Sequence, residues 1–263
     1  MLTRPKRVLK KLKDKGLSFV FQEFLKDINR EKIDNFGQIK QLFKQGKGLE
    51  VGGPSGIFRD RGFIPIYRFL NELDGCNFSN STIWEGSIEN GKNYNYYKNK
   101  NGFQFISEAS DLSLLPDAKY DFVISSNCLE HVSNPLKAVK EWVRVVKKGG
   151  LVLIVLPNKA HCFDHRRPDT SFSHLLEDFK NDTQEDDLTH LEEILALHDL
   201  QLDVKAGTPE QFKERSMNNF QHRAMHHHVF SIALLEEIYR HFGLEILQTA
   251  GGKEHIILGR KTN

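Results

Sequence analysis

Leu49-Glu50-Val51-Gly52-Gly53-Pro54-Ser55-Gly56 decides the fold: a short apolar run ends in an acid and passes straight into a glycine-rich turn. Such a turn lets backbone approach a ligand with no side chain in the way, and the helix beyond it offers N–H groups to a carboxylate or phosphate. At the end of a strand in an open α/β sheet, that position is the mouth of a nucleotide site. One glycine turn is weak on its own, so its meaning rests on the elements around it.

Working outward, the apolar spacing predicts strands at Gly48 to Val51, Ser81 to Trp84, Phe103 to Ile106, Asp121 to Ser125 and Leu151 to Leu156. The last two are unbroken apolar runs, the pattern of parallel strands buried on both faces. Between them Asn134 and Pro135 open a helix with Leu136, Val139, Val143 and Val146 on one stripe. Lys147-Lys148-Gly149-Gly150 closes it with cations and a glycine stop. Strand, helix and strand then form a right-handed crossover. Further on, Ser231 caps a helix to His241 with Leu234, Leu235, Ile238 and Phe242 on its core face, and Gly243 ends it. Leu244 to Gln248 and His255 to Gly259 make a hairpin around Gly251-Gly252. The expectation is an α/β, Rossmann-like, doubly wound, mostly parallel seven-stranded sheet with a C-terminal β-hairpin.

Leu17, Val20, Phe21, Phe24, Leu25 and Ile28 recur at helical spacing, and Ile39, Leu42 and Phe43 resume the pattern after Asn35-Phe36-Gly37. Residues 1–45 are therefore read as an N-terminal helical extension covering the sheet, and residues 46–260 as the main domain. Within it, residues 159–228 are polar and hold nine of the twelve histidines. At that length they carry helices of their own and are read as an inserted helical lid over the substrate.

A chain of 263 residues, 39% hydrophobic, can bury one large core without a second domain. It contains no apolar run long enough to span a bilayer and no signal-peptide core at its start, so a cytoplasmic protein is expected. Cys76, Cys128 and Cys162 are odd in number and lack CxxC spacing, which points away from a disulfide framework and from a structural zinc site. Residues 1–15 carry +6 of charge against −4 elsewhere. That basic helix is read first as solvated, with weak contact to an anionic membrane surface as its functional alternative. Nucleic acid is not expected as a partner, because no aromatic stacking pattern accompanies the basic residues.

Acids recur where a nucleotide site needs them. Glu85 follows the second predicted strand, where a carboxylate can accept both ribose hydroxyls, and Ser107-Glu108-Ala109-Ser110-Asp111-Leu112 follows the third, where it can read an adenine edge. The order is completed by Asp121-Phe122-Val123-Ile124-Ser125-Ser126-Asn127-Cys128-Leu129-Glu130-His131 and the Asn134-Pro135 helix. In that order the chain resembles the class I S-adenosylmethionine-dependent methyltransferases over residues 46 to 158 and 228 to 260. The resemblance implies Glu50, Gly52, Gly53 and Ser55 at the methionine end and Glu85 on the ribose. It implies Glu108 and Ala109 at the adenine, and Ser126, Asn127 and His131 near the sulfonium. Pro54 stands where the family has its middle glycine; it removes a donor, so contacts there fall to neighbouring N–H groups or Ser55. This variant, with Leu156-Pro157-Asn158-Lys159, Phe163-Asp164-His165-Arg166-Arg167 and His174-Leu175-Leu176-Glu177-Asp178-Phe179, resembles a subgroup associated with polysaccharide and glycan assembly.

Methyl transfer from a sulfonium needs an in-line nucleophile, and a hydroxyl acceptor gains from a base with pKa near neutrality. Histidine meets that need. Asp164-His165 lies just past the fifth strand, so His165 is the first candidate base and Asp164 its orienter. His222, His226, His227 and His228 are the rivals, with His228 named beside His165; His226 and His228 would face one side of an extended segment. With Asp164 or His165 they could hold a divalent metal that polarises a sugar diol, although the site is read without one. Arg166, Arg167 and Arg223 either bind an anionic acceptor or pair with Glu185-Asp186-Asp187. The reading is SN2 methyl transfer from S-adenosylmethionine to an acceptor oxygen of a sugar or glycan-related molecule. The alternatives are an NAD-dependent sugar oxidoreductase or epimerase, which lacks its GxGxxG here and finds Tyr96 and Lys100 poorly placed, and a non-catalytic adenosylmethionine-binding subunit.

Overall fold

A computed structural model describes residues 31–82 and 86–263. The basic segment, the helix expected over residues 17 to 28, and Glu85 lie outside the described residues. The extension retains one described helix, α1 (Phe36–Phe43), whose Ile39 and Phe43 are buried.

The first strand, β1 (Lys47–Val51), lies at the centre, where all but its first residue is buried. It pairs in parallel with β2 (Glu72–Asn77) on one side and with β7 (Tyr120–Ser126) on the other. Between those in sequence lie a two-stranded ribbon, β3 (Ser81–Thr82) and β4 (Gly86–Ser87), and a hairpin, β5 (Gly91–Tyr97) and β6 (Lys100–Ile106). Then come β8 (Val146–Pro157), β9 (Leu244–Ala250) and β10 (Glu254–Lys261). The sheet runs β5-β6-β2-β1-β7-β8-β10-β9, parallel except where the β5 hairpin and β10 are joined. It therefore has eight strands where seven were expected; the extra one is β5, whose Gly-Lys-Asn-Tyr-Asn-Tyr-Tyr reads as a polar connection.

The second strand is the main correction. It was expected at Ser81 to Trp84, yet Ser81–Thr82 pairs only with Gly86–Ser87. The strand beside β1 is Glu-Leu-Asp-Gly-Cys-Asn, with a carboxylate inside it. Asp74 is 2% exposed, accepting from Tyr120 Oη at 2.8 Å and Phe103 N–H at 2.9 Å. A buried acid with such donors is stable in a sheet although no apolar count would find it.

Helix α2 (Pro135–Val145) begins as expected, with Asn134 Oδ1 accepting from Lys137 N–H at 3.1 Å. Its buried stripe is Leu136, Val139, Trp142 and Val145, and Val146 already belongs to β8. Trp142 donates to the Ala109 carbonyl at 2.9 Å, so the helix also fixes the loop after β6. Truncating this fully buried indole to alanine would cost ~3–5 kcal/mol.

The insertion folds into α3 (Phe172–Asn181), α4 (Leu191–Leu197), α5 (Pro209–Met217) and α6 (Asn219–His222). Ile194, Ala206, Phe212 and Met225 form a small core inside it. The chain returns through residues 226–230 into α7 (Ile232–His241), where Ser231 Oγ accepts from Leu234 N–H at 3.2 Å. No helix among the described residues is long and apolar enough to cross a membrane.

Candidate active site

A cavity of about 1230 Å³ opens at the C-terminal ends of β1, β2, β6, β7 and β8, with the insertion as its far wall. Of the residues expected to meet the cofactor, Gly52, Ser55, Glu108, Ala109, Ser126, Asn127 and His131 line it.

Glu50 and Gly53 do not line it. The Glu50 carboxylate, 0% exposed, accepts from Ser55 N–H at 3.0 Å, Tyr67 Oη at 2.6 Å and Tyr94 Oη at 2.7 Å. It holds the loop from beneath and does not line the cavity. Burial raises its pKa above the ordinary carboxylate value, against the opposing pull of those hydrogen bonds. The Ser55 N–H, expected to serve the cofactor in place of the donor that Pro54 lacks, is thereby turned inward to Glu50. Two glycines are explained at once: a Cβ on Gly53 would stand 2.2 Å from the Glu50 carboxyl carbon and 2.3 Å from Tyr94 Oη. Gly52 has φ +81°, and a Cβ there would lie 2.7 Å from Cβ of Cys128.

At the end of β2 the cavity is lined by Asn77 and Phe78, neither of which was anticipated, because the strand was expected later in the chain. Asn77 donates from Nδ2 to the Gly53 carbonyl at 3.1 Å, and its buried Oδ1 has no partner among the described residues. An unpartnered buried acceptor here can take a hydrogen bond from a ribose hydroxyl. Next to it, Arg223 grips Glu108 through two bonds of 2.8 and 3.1 Å, pairs with Glu185 at 2.8 Å, and lies 4.9 Å from the Phe78 ring centre. Arg223 therefore joins the insertion to the loop after β6. Arg166 pairs with Asp199, and Arg167 with Asp164 and Glu193. All three arginines are thus engaged by carboxylates of this chain, and Arg223 by one of the acids expected.

The histidines expected as candidate bases are placed apart from one another. His165 Nε2 pairs with Asp199 at 2.9 Å on the exposed side and does not line the cavity. Asp164 orients a different ring: its Oδ2 lies 2.5 Å from His226 Nδ1, while Arg167 holds its Oδ1 at 3.1 Å. Arg167 also donates to the carbonyls of His226 and His227 at 2.8 and 3.1 Å, fixing the backbone that carries the imidazole. His228, the other catalytic candidate, points elsewhere, to Asp178 at 3.1 Å. His226 lines the cavity with Glu130 and His131, and donor atoms of the three lie within 4.8 Å of one another.

Their titration is set by burial. Burial drives Glu130 up to about 7, and neither carboxylate oxygen has a partner among the described residues. It pushes His131 down to about 3, helped by the charge of His226. For His226, burial pulls the pKa down, but the Asp164 hydrogen bond and charge outweigh it and the net shift is upward.

The glycine turn, Asn77 Oδ1 and the Glu108-Ala109 loop at the strand ends offer the close backbone approach and the acceptors that suit S-adenosylmethionine, and Glu130, His131 and His226 line the same cavity. The chain belongs to the methyltransferase-domain family, whose model matches residues 21–249, and is an S-adenosylmethionine-dependent methyltransferase. That assignment sets aside the oxidoreductase alternative. No curated protein matches this chain. Among solved structures it is similar to a methyltransferase from Thermotoga maritima described as a possible histamine N-methyltransferase, at 17% identity over 97% of this chain and 99% of that one, TM-score 0.45. It is also similar to one from Aquifex aeolicus, at 15% identity over 99% and 100%, TM-score 0.46. A third, from Methanosarcina mazei, has 15% identity over 87% and 99%, TM-score 0.47. At these identities the likeness is one of fold alone.

Proposed function

We propose that this methyltransferase acts on an acceptor oxygen, on a sugar or glycan-related molecule, with the insertion over residues 159–228 closing on the acceptor. The observation that carries the reading is the Asp164–His226 pair. A carboxylate on Nδ1 fixes the tautomer with Nδ1 protonated, which leaves Nε2 as the basic nitrogen on the cavity side. Bound S-adenosylmethionine supplies an electrophilic methyl group on a positively charged sulfur. The O–C bond forms as the S–C bond breaks, and the acceptor proton passes to His226 Nε2, whose positive charge Asp164 then balances. Glu130, without a hydrogen-bond partner among the described residues, offers a second acceptor for a neighbouring hydroxyl, as on a sugar diol. Lys205 from the insertion lines the same cavity and suits an acceptor with an anionic group, while Arg215 beside it is paired with Asp203 at 2.9 Å.

The test is incubation with methyl-labelled S-adenosylmethionine and a panel of nucleotide sugars, oligosaccharides and amines, with products resolved by mass spectrometry. Methyl ethers on a sugar acceptor are expected. Transfer only to nitrogen or carbon, or tight cofactor binding with no transfer to any sugar, would overturn the proposal.

A further inference from the structure

Outside the cavity, four side chains from three parts of the insertion converge. His174 and Asp178 lie one turn apart on α3, which puts them on the same face. His190 stands at the start of α4, and His228 lies in the segment that leads into α7. His174 Nε2 is 3.0 Å from His190 Nε2 and 3.4 Å from Asp178 Oδ2. Asp178 Oδ2 is 3.1 Å from His228 Nε2. Donor atoms of the three imidazoles all lie within 4.8 Å of one another.

Three of the six separations, 3.0, 3.1 and 3.4 Å, are close to the edges of a small tetrahedron, and the three imidazoles form the set whose ligand atoms are mutually within 4.8 Å, with Asp178 bordering it through His174 and His228. Ligands about 2.0–2.1 Å from a central zinc ion lie about 3.3–3.4 Å from each other. Hydrogen bonds satisfy the same group poorly. A proton on His174 Nε2 has to serve both His190 and Asp178, and a proton on His190 instead leaves the His174 lone pair facing the carboxylate. A cation removes the conflict, because three imidazole lone pairs and a carboxylate oxygen can all point at it.

We propose that His174, His190 and His228, with Asp178 turning its carboxylate in as the fourth ligand, form a zinc site that fastens α3 and the start of α4 to the segment by which the insertion returns to the sheet domain. Three nitrogens and one oxygen suit zinc among the common divalent ions, and four protein ligands leave no open position, so the site is structural. Its neighbours give it a consequence. The Asp178 carbonyl accepts from Asn134 Nδ2 at 3.0 Å, at the cap of α2, and His228 is two residues from His226. The ion thus braces the segment that carries the cavity histidine. Cysteine counting misses such a site because it uses no thiolate. The His174 side chain is 33% exposed, which leaves a path for the ion, while that of His228 is 1% exposed.

The test uses the full chain produced in zinc-supplemented medium, with metal content measured by mass spectrometry and the stripped protein titrated with Co²⁺. About one zinc per chain and the intense visible bands of tetrahedral cobalt are expected. His190→Gln should reduce zinc to below about 0.1 per chain and abolish those bands. His174→Gln, at a more exposed position, should do the same while still melting cooperatively, and Glu130→Gln should retain the metal. Native protein without zinc and without a tetrahedral cobalt spectrum would overturn the proposal. So would zinc that survives both histidine substitutions, or zinc that is lost with Glu130→Gln.

Discussion

Asp164 Oδ2 lies 2.5 Å from His226 Nδ1, with side chains 3% and 8% exposed, so Asp164 stands behind His226, which lines the cavity, and not behind its sequence neighbour His165. His226→Asn should lower kcat about 10²–10⁴-fold with little change in the Kd for S-adenosylhomocysteine. His165→Ala, which removes only an outward pairing with Asp199, should leave both unchanged. Steady-state kinetics and isothermal titration check the contrast. Since the His226 pKa is shifted upward and the base must be neutral, kcat/KM should climb with pH along a limb centred above 6.5.

The buried acid under the glycine loop makes a sharper prediction. Gly53→Ala would drive a methyl into the Glu50 carboxyl group and Tyr94 Oη. Saturable S-adenosylhomocysteine binding should be abolished. Tyr94→Phe removes one of three donors to Glu50 and should cost ~1–3 kcal/mol of stability, read by denaturant melts.

Asn77 should matter to cofactor affinity although its strand carries no acid at that end. Asn77→Ala removes both the bond to the Gly53 carbonyl and the unpartnered Oδ1. Affinity for S-adenosylhomocysteine should fall about tenfold, one hydrogen bond's worth. An unchanged titration would remove Asn77 from the site.

Asp164 also predicts an acid limb in stability. Burial alone would raise its pKa, yet the His226 hydrogen bond and charge, with Arg167, lower it from 3.8 to about 2. A depressed carboxyl pKa stabilises the fold above the unfolded value, and that stability is lost as pH falls from about 5 towards 2. The amount is roughly 2 kcal/mol. The gap in unfolding free energy between the native chain and Asp164→Asn should therefore narrow below about pH 4. A gap that stays constant down to pH 3 would contradict it.

Much of the fold was legible because it rests on local chemistry. The unbroken apolar runs of β7 and β8, the Asn134 and Ser231 caps and the closing hairpin were all found in place. β2 was not, since Asp74 breaks its apolar run and is made stable only by Tyr120 and Phe103, which lie on other strands. β5 was missed for a related reason: Tyr94 and Tyr96 are buried, but their neighbours are polar. The candidate site divides the same way. The loops at the ends of β1, β6 and β7 follow directly from the strands that precede them, and most of their expected residues line the cavity.

The histidines could not be assigned from sequence. Nine lie in one insertion, and Asp164-His165 has the look of a pair because the two are adjacent. Adjacent side chains on an irregular segment diverge, so Asp164 turns inward to a ring 62 residues away while His165 turns out to Asp199. By itself the sequence determined most strands of the sheet and the glycine turn, since these follow from hydrophobic periodicity and backbone freedom within short stretches, while the methyl-donor class came from the resemblance of its motifs to a known family. Only the tertiary structure decided that Glu50 supports the turn without lining it, and which imidazole meets the cavity. Those outcomes depend on which distant donors and carboxylates a buried group finds, and packing alone brings them together.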